Sequence, residues 1–100
     1  MADPPAGGLL SRIHMIYFTY AIYNDARNKI YIGHTQNIES RLKRHNGVLK
    51  NKNSSFTSKN NGHWILIYKE EFPERKNAVR RERELKSYKG RIFIRGLIKK

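Results

Sequence analysis

The sequence IYFTYAIYNDARNKIYIG, residues 16–33, decides the fold. Its two halves are aromatic and β-branched, which favours β-strands, and the turn-like segment 24–27 lies between them. This pattern predicts an antiparallel hairpin. If the loop is that segment, Tyr20 lies directly opposite Tyr31, and the two phenols share one face at about 5 Å between Cβ atoms. A slip of one residue would separate them, so the prediction depends on the register.

The remaining patterns complete one small domain. Thr35 or Asn37 can cap a helix whose apolar residues recur at helical spacing, and Gly90 is expected to separate the last two helices. The order β-β-α-β-α-α predicts an α+β fold. The inward residues of the last helix would be Ile92, Ile94 (or Phe93), Leu97 and Ile98. The predicted elements are strands 16–23 and 28–33, a helix ending near 45, a polar loop over 48–62, a strand over 63–72, and helices over 73–86 and 91–98.

Composition restricts the class of protein. The 100 residues suffice for one domain, 38% are hydrophobic, and no apolar run approaches the roughly 20 residues of a membrane-spanning helix. The lack of cysteine excludes disulfides and thiolate metal sites, and it is natural in a reducing cytoplasm. We interpret residues 1–14, with their paired prolines and glycines, as a flexible leader before a domain at 15–100. They do not resemble a secretory signal.

Charge points to a polyanionic partner. Lys and Arg number 21 against 8 acids, which gives a formal net charge of +13 and a pI near 10.4. Eleven of these bases but only two of the acids fall in residues 75–100. A small domain of this charge is predisposed to bind nucleic acid, with an anionic membrane as the second candidate and a merely soluble basic surface as the third.

Three polar residues interrupt the apolar stripes of the predicted helices. Arg41 and His45 share one face of the first helix, and Glu82 lies within the stripe of the second. Taken singly, Arg41 could snorkel from the edge of the core, His45 could be structural, and Glu82 could pair with a neighbouring base. Together with the two phenols they suit a phosphodiester hydrolase. Phenol or imidazole can activate water, a carboxylate can hold a hard divalent cation, and a guanidinium can stabilise a phosphate.

The same residues stand in a known motif. Residues 31–33 are an intact YIG tripeptide, and Tyr20, eleven residues before its tyrosine, closes the tripeptide FTY. Arg41 and His45 follow in IESRLKRHN, and Glu82 lies in WILIYKEEFPERKNAVRRERELKSYKG. These segments span nearly the whole chain. They resemble the small stand-alone members of the GIY-YIG nuclease superfamily, which are related to the N-terminal nuclease domain found in excinuclease ABC.

The resemblance implies both a fold and a chemistry. The GIY-YIG endonuclease fold is a three-stranded antiparallel sheet flanked by helices, and its activity is metal-dependent hydrolysis of phosphodiester bonds. Because a free phenol near pKa 10 is a poor base, Arg41, the metal and His34 would have to lower the pKa of Tyr20. The implied catalytic residues are Tyr20 as base, Tyr31 in support, Arg41 bracing the phosphate, His45 assisting proton transfer or binding phosphate, and Glu82 holding Mg²⁺ or Mn²⁺.

The implied partner is nucleic acid, with DNA favoured over RNA. We expect a repair- or recombination-type substrate and low sequence specificity, because phosphate contacts do not read sequence. We also expect a cytoplasmic protein that does not bind membranes and is a monomer or weak dimer. The expected substrate-binding residues are Gly33, His34, Arg80, Arg81, Lys86 and Lys89.

Two departures from the family pattern favour a second candidate, a non-catalytic nucleic-acid-binding module with the same fold. FTY replaces GIY, which should matter little where the strand depends on its backbone. The asparagine found in the last helical region of several members has no counterpart, since Ile94 stands near its position.

Overall fold

The computed structural model describes residues 15–47 and 62–98, and these have the predicted element order. The strands form one antiparallel sheet in the order β2-β1-β3, so the predicted α+β architecture is confirmed. The predictions for residues 1–14 and for 48–61 lie outside the described residues. The strands are β1 (Tyr17–Asn24), β2 (Lys29–Thr35) and β3 (Trp64–Phe72), and the helices are α1 (Ile38–His45), α2 (Arg75–Leu85) and α3 (Tyr88–Arg95).

The central strand, β1, divides the core between the two faces of the sheet. Successive side chains of a strand point to opposite faces, and the apolar residues of β1 are buried on both. On one face Ala21 packs with Leu85 of α2 and Ile94 of α3. On the other face Tyr20 packs in a cluster that includes Leu42 of α1. The predicted catalytic phenols therefore lie on the side of the sheet that α1 covers.

The hairpin is formed, but its predicted register is wrong. The loop begins one residue later than expected, because Asn28 adopts a positive φ of 54° and its N–H donates to the carbonyl of Asp25 at 3.3 Å. Asparagine tolerates this left-handed conformation better than most residues. Moving the loop by one residue shifts the pairing by two, so Tyr20 lies opposite Gly33 and not Tyr31. A shift of two keeps each side chain on its face, and the two phenols remain neighbours with ring centroids 6.2 Å apart.

Helix α1 is fixed at both ends. At its start Asn37, one of the two predicted caps, accepts a hydrogen bond from the backbone N–H of Ser40 at 2.9 Å. At its end the Asn46 side chain donates to the carbonyl of Trp64 at 3.0 Å and accepts from its N–H at 2.6 Å. The helix is thereby attached to the start of β3, which holds its inner face against the sheet.

The prediction for the last helix is wrong in two respects. Helix α3 begins at Tyr88, because Ser87 caps it by accepting from the N–H of Gly90 at 3.2 Å, so the glycine lies inside the helix and does not precede it. Only Ile94 of the expected inward residues is fully buried. The short helix contacts the rest of the domain along a narrow line, which leaves its other apolar residues outside the core. Ile92, Phe93 and Leu97 are exposed and Ile98 is partly buried.

Gly90 is a close contact point between α3 and the end of α2. A Cβ on Gly90 would lie 2.3 Å from the carbonyl oxygen of Glu84 and 2.4 Å from Cα of Leu85. These are backbone atoms and cannot rotate away. Gly90→Ala should therefore lower the free energy of unfolding by about 2–3 kcal/mol, as measured by chemical denaturation. Gly96→Ala is the matched control, because its Cβ would meet nothing closer than 3.3 Å. Equal stability of the two variants would contradict this packing.

Candidate active site

Four of the five predicted catalytic side chains meet between the sheet and α1. The phenol oxygen of Tyr20 lies 2.9 Å from Nε2 of His45, and the ring of Tyr31 lies 4.7 Å from the His45 ring between centroids. The half-buried Arg41 forms hydrogen bonds with both phenols. Because Arg41 and His45 are four residues apart in one helix, their side chains reach the same cluster. Arg41 is thus directed at the phenols and does not merely snorkel to solvent.

The glycine of the YIG tripeptide makes room for these phenols. A Cβ on Gly33 would lie 3.0 Å from Cε2 of Tyr31 and 3.1 Å from the hydroxyl oxygen of Tyr20. Any side chain at this position would push one of the two rings away from His45. The function of this glycine is therefore space for a side chain as much as freedom for the backbone.

The fifth residue, Glu82, lies in a separate group. His34 follows Gly33 in β2, so its side chain points to the other face of the sheet, where Nδ1 lies 2.5 Å from Oε1 of Glu82. Lys86, one turn further along the chain, donates to Oε2 of Glu82 at 2.7 Å. The negative charge of Glu82 contributes to raising the pKa of Tyr20, so the two groups lie within electrostatic range of each other. The candidate site thus extends around β2, an edge strand of the sheet.

Tyr20 is a weak acid in this site. Burial raises the pKa of Tyr20 to about 12, although the hydrogen bond from Arg41 opposes the rise. The neighbouring protein groups therefore do not lower the pKa of Tyr20 in the way that a base acting alone would require. At neutral pH the hydroxyl is protonated, so Tyr20 can act as a base only if another group accepts its proton.

His45 is the group placed to accept that proton. Burial and, to a smaller extent, the charge of Arg41 lower the pKa of His45 to about 4, so the imidazole is neutral at physiological pH. A neutral imidazole has one unprotonated nitrogen, and Nε2 is the nitrogen beside the hydroxyl of Tyr20. Within the described part of the chain, Nδ1 of His45 is buried without a hydrogen-bond partner. No second hydrogen bond there fixes the tautomer.

The lowered pKa of His45 makes stability depend on pH. Because the unfolded imidazole titrates near 6.5, the contribution is fully present above that pH and is lost as pH falls towards the folded value of about 4. We expect the free energy of unfolding to fall by roughly 2–3 kcal/mol over this range from His45. In His45→Gln, denaturation curves at several pH values should show a smaller decrease. His63→Gln is the control, because His63 is exposed. An identical pH dependence in both variants would refute this account.

Glu82 can hold a hard cation. Burial raises the pKa of this carboxyl group, but hydrogen bonds from Lys86 and His34 outweigh it, so its pKa lies below the usual value and the group is ionised. Mg²⁺ commonly binds one or two carboxylates together with water and substrate phosphate, and Glu82 fits that pattern. In residues 15–47 and 62–98 no group of three or more His, Cys, Asp or Glu side chains converges. Any metal here would therefore depend on substrate and water for most of its ligands.

The predicted substrate-binding residues differ in how far they are already engaged. Arg81 pairs with Glu70 at 3.0 Å and with Glu84 at 3.1 Å, so its charge is largely compensated. Lys86 pairs with Glu82 in the site. Arg80 contacts only the neutral side chain of Asn77 in the described residues. Gly33 and His34 lie at the site, and Lys89 is exposed.

Sequence reasoning missed the two direct pairings of the site. Tyr20 and His45 are 25 positions apart, and His34 and Glu82 are 48 positions apart. No local spacing signals such contacts. The nearest signal was that each residue was polar at a position where the pattern predicted an apolar one.

Comparison with known proteins identifies the family. A family model described as the GIY-YIG catalytic domain matches residues 16–93. The chain belongs to the GIY-YIG family. This GIY-YIG chain is similar to the UPF0213 protein SH2523 of Staphylococcus haemolyticus, with 36% identity over 61 residues, covering 61% of the chain and 70% of that protein. It is also similar to the solution NMR structure of the UPF0213 protein BH0048 from Bacillus halodurans, with 24% identity and a TM-score of 0.48, covering 83% of this chain and 85% of that chain.

Membership of the GIY-YIG family carries a coarse functional statement. GIY-YIG proteins form a nuclease family, generally dependent on divalent metal ions, and the family implies a nucleic-acid substrate. None of the helices in the described part of the chain is long and apolar enough to span a membrane.

Proposed function

We propose that this protein is an endonuclease that hydrolyses phosphodiester bonds in DNA with the help of Mg²⁺ or Mn²⁺. The observation that carries the proposal is the hydroxyl of Tyr20 at 2.9 Å from a neutral His45, beside the guanidinium of Arg41. A buried hydroxyl, a proton acceptor and a fixed cation are the groups that in-line attack of water on a phosphate requires. The high net positive charge supports a polyanionic substrate.

The proton path follows from the two pKa shifts. Tyr20 takes the proton of the attacking water as its own hydroxyl proton passes to Nε2 of His45, so a poor base is coupled to a better one. The charge of Arg41 stabilises the negative charge that develops on Tyr20 and on the phosphate oxygens. Tyr31 packs against the imidazole and holds its orientation. Glu82 would hold the divalent cation, which supplies Lewis-acid stabilisation of the phosphate.

The hydrogen bond from His34 orients the carboxylate of Glu82, as neighbouring groups commonly do for metal ligands. We further propose that residues 15–100 act as one cytoplasmic domain, as a monomer or weak dimer. Low sequence specificity and a repair- or recombination-type substrate complete the proposal, because the candidate binding groups are cations that contact phosphate.

Cleavage by the wild-type protein tests the proposal. Supercoiled plasmid and a branched DNA duplex are incubated with Mg²⁺ or Mn²⁺, and parallel reactions contain EDTA. We expect nicked or linear products with metal and none with chelator. If neither metal supports cleavage of any substrate while salt-sensitive binding persists, the proposal fails.

That outcome would favour a non-catalytic nucleic-acid-binding module. One observation supports this second candidate. His34 and Lys86 occupy both oxygens of Glu82, as expected of a carboxylate whose function is an internal ion pair.

A further inference from the structure

A basic groove runs along the outer side of α2. It encloses about 540 Å³ and is lined by Arg75, Lys76, Val79, Arg80 and Arg83, which we call the α2 groove. Four of its five lining residues are cations and none is an acid. These residues span eight steps of the helix, which is about 12 Å at 1.5 Å per residue.

The positive charge of the α2 groove is poorly compensated. Across residues 15–47 and 62–98, neither Arg75 nor Arg83 forms an ion pair with a carboxylate. Lys76 lies 3.5 Å from the exposed Glu74, an arrangement that solvent screens strongly. Arg81 of the same helix points out of the groove and has two carboxylate partners. The helix therefore keeps one side neutral and leaves the other strongly positive.

The α2 groove connects with the candidate active site through Arg75. This arginine also lines an adjacent groove with Tyr17, His34, Thr35 and Gln36. His34 is the residue that hydrogen-bonds Glu82. A line of polar and cationic side chains therefore leads from the carboxylate of the site, past His34 and Arg75, onto α2.

We propose that the α2 groove binds the phosphate backbone of the DNA strand as it leaves the active site. This inference rests on the proposed function and specifies where that substrate lies. One strand of a duplex carries a phosphate about every 3.4 Å along the axis, so the groove matches about three to four phosphates. The two cations tied to carboxylates, Arg81 and Lys86, contribute less to this contact than the sequence predicts. Arg75, which was not among the binding residues predicted from sequence, is the residue that joins groove and site.

Salt-dependent binding tests this placement. A short fluorescein-labelled DNA duplex is titrated with the full chain in EDTA, where no cleavage occurs, at several salt concentrations. The double variant Arg80→Ala/Arg83→Ala should bind about 10- to 100-fold more weakly at 0.1 M salt, and its plot of log K against log salt should lose about 2 units of slope. The control Arg27→Ala/Lys29→Ala removes the same charge at the hairpin loop, the end of β2 away from Thr35.

The control should change affinity much less than the groove variant. If both double variants weaken binding equally, only net charge matters and the placement is wrong. Unchanged binding by the groove variant also overturns it. A thermal melt of each variant shows that the fold is retained, which is expected because the substituted residues are exposed. Because binding is measured without metal, its result does not depend on whether the protein cuts DNA.

Discussion

Glu82→Gln is expected to reduce the rate of metal-dependent DNA cleavage on the order of 1,000-fold. Glutamine preserves the size of the side chain, and its oxygen can still accept from His34. It removes the negative charge that would hold a divalent cation. Single-turnover cleavage in Mn²⁺ measures the rate. Mn²⁺ binding by electron paramagnetic resonance gives a second readout, and the affinity should fall together with the rate.

Glu84→Gln is the matched control for this substitution. Glu84 lies on the same helix and is exposed, and its carboxylate pairs with Arg81 at 3.1 Å, away from the site. Its loss should leave cleavage and Mn²⁺ affinity near the wild-type values, because a surface ion pair contributes little. Wild-type activity in Glu82→Gln, or an equal loss in both variants, would remove Glu82 from the proposed metal site.

The parts of the fold that sequence predicts well depend on local signals. The aromatic strands of the hairpin, the cap at Asn37 and the order of the elements each follow from a few adjacent residues. The common face of Arg41 and His45 follows from helical periodicity alone, and the structure brings both to the phenols. Local periodicity therefore assembled most of the candidate site, because four of its members come from one hairpin and the helix that follows it.

The parts that sequence predicted wrongly depend on geometry or on distant partners. The register changed because Asn28 takes a left-handed conformation, and alternation alone cannot distinguish two loops that differ by one residue. Gly90 has the sequence signature of a helix breaker, yet it serves as a packing contact inside α3. Arg80 and Arg81 are adjacent and identical, and they differ because β3 places Glu70 beside only the second. Such differences arise from the assembled sheet and are not visible in the helix sequence.

Tyr20→Phe is expected to lower the cleavage rate about 100- to 1,000-fold while DNA affinity stays unchanged. The substitution removes one buried oxygen, the atom 2.9 Å from Nε2 of His45, and with it the proton path. The wild-type rate should also rise with pH through the neutral range without an inflection near 6.5. Neither Tyr20, with a pKa of about 12, nor His45, with a pKa of about 4, titrates there. Rates measured from acidic to alkaline pH, together with binding in EDTA, test both statements.

Two further phenols serve as comparisons. Tyr23 is also buried in β1, but its hydroxyl donates to Oδ1 of Asn28 at 3.1 Å in the hairpin loop, so Tyr23→Phe should reduce stability slightly and leave cleavage intact. Tyr31→Phe keeps the ring that packs on His45 and should cost less activity than Tyr20→Phe. If Tyr31→Phe abolishes cleavage and Tyr20→Phe does not, the base is Tyr31. The bond between Tyr20 and His45 would then serve only to hold α1 on the sheet.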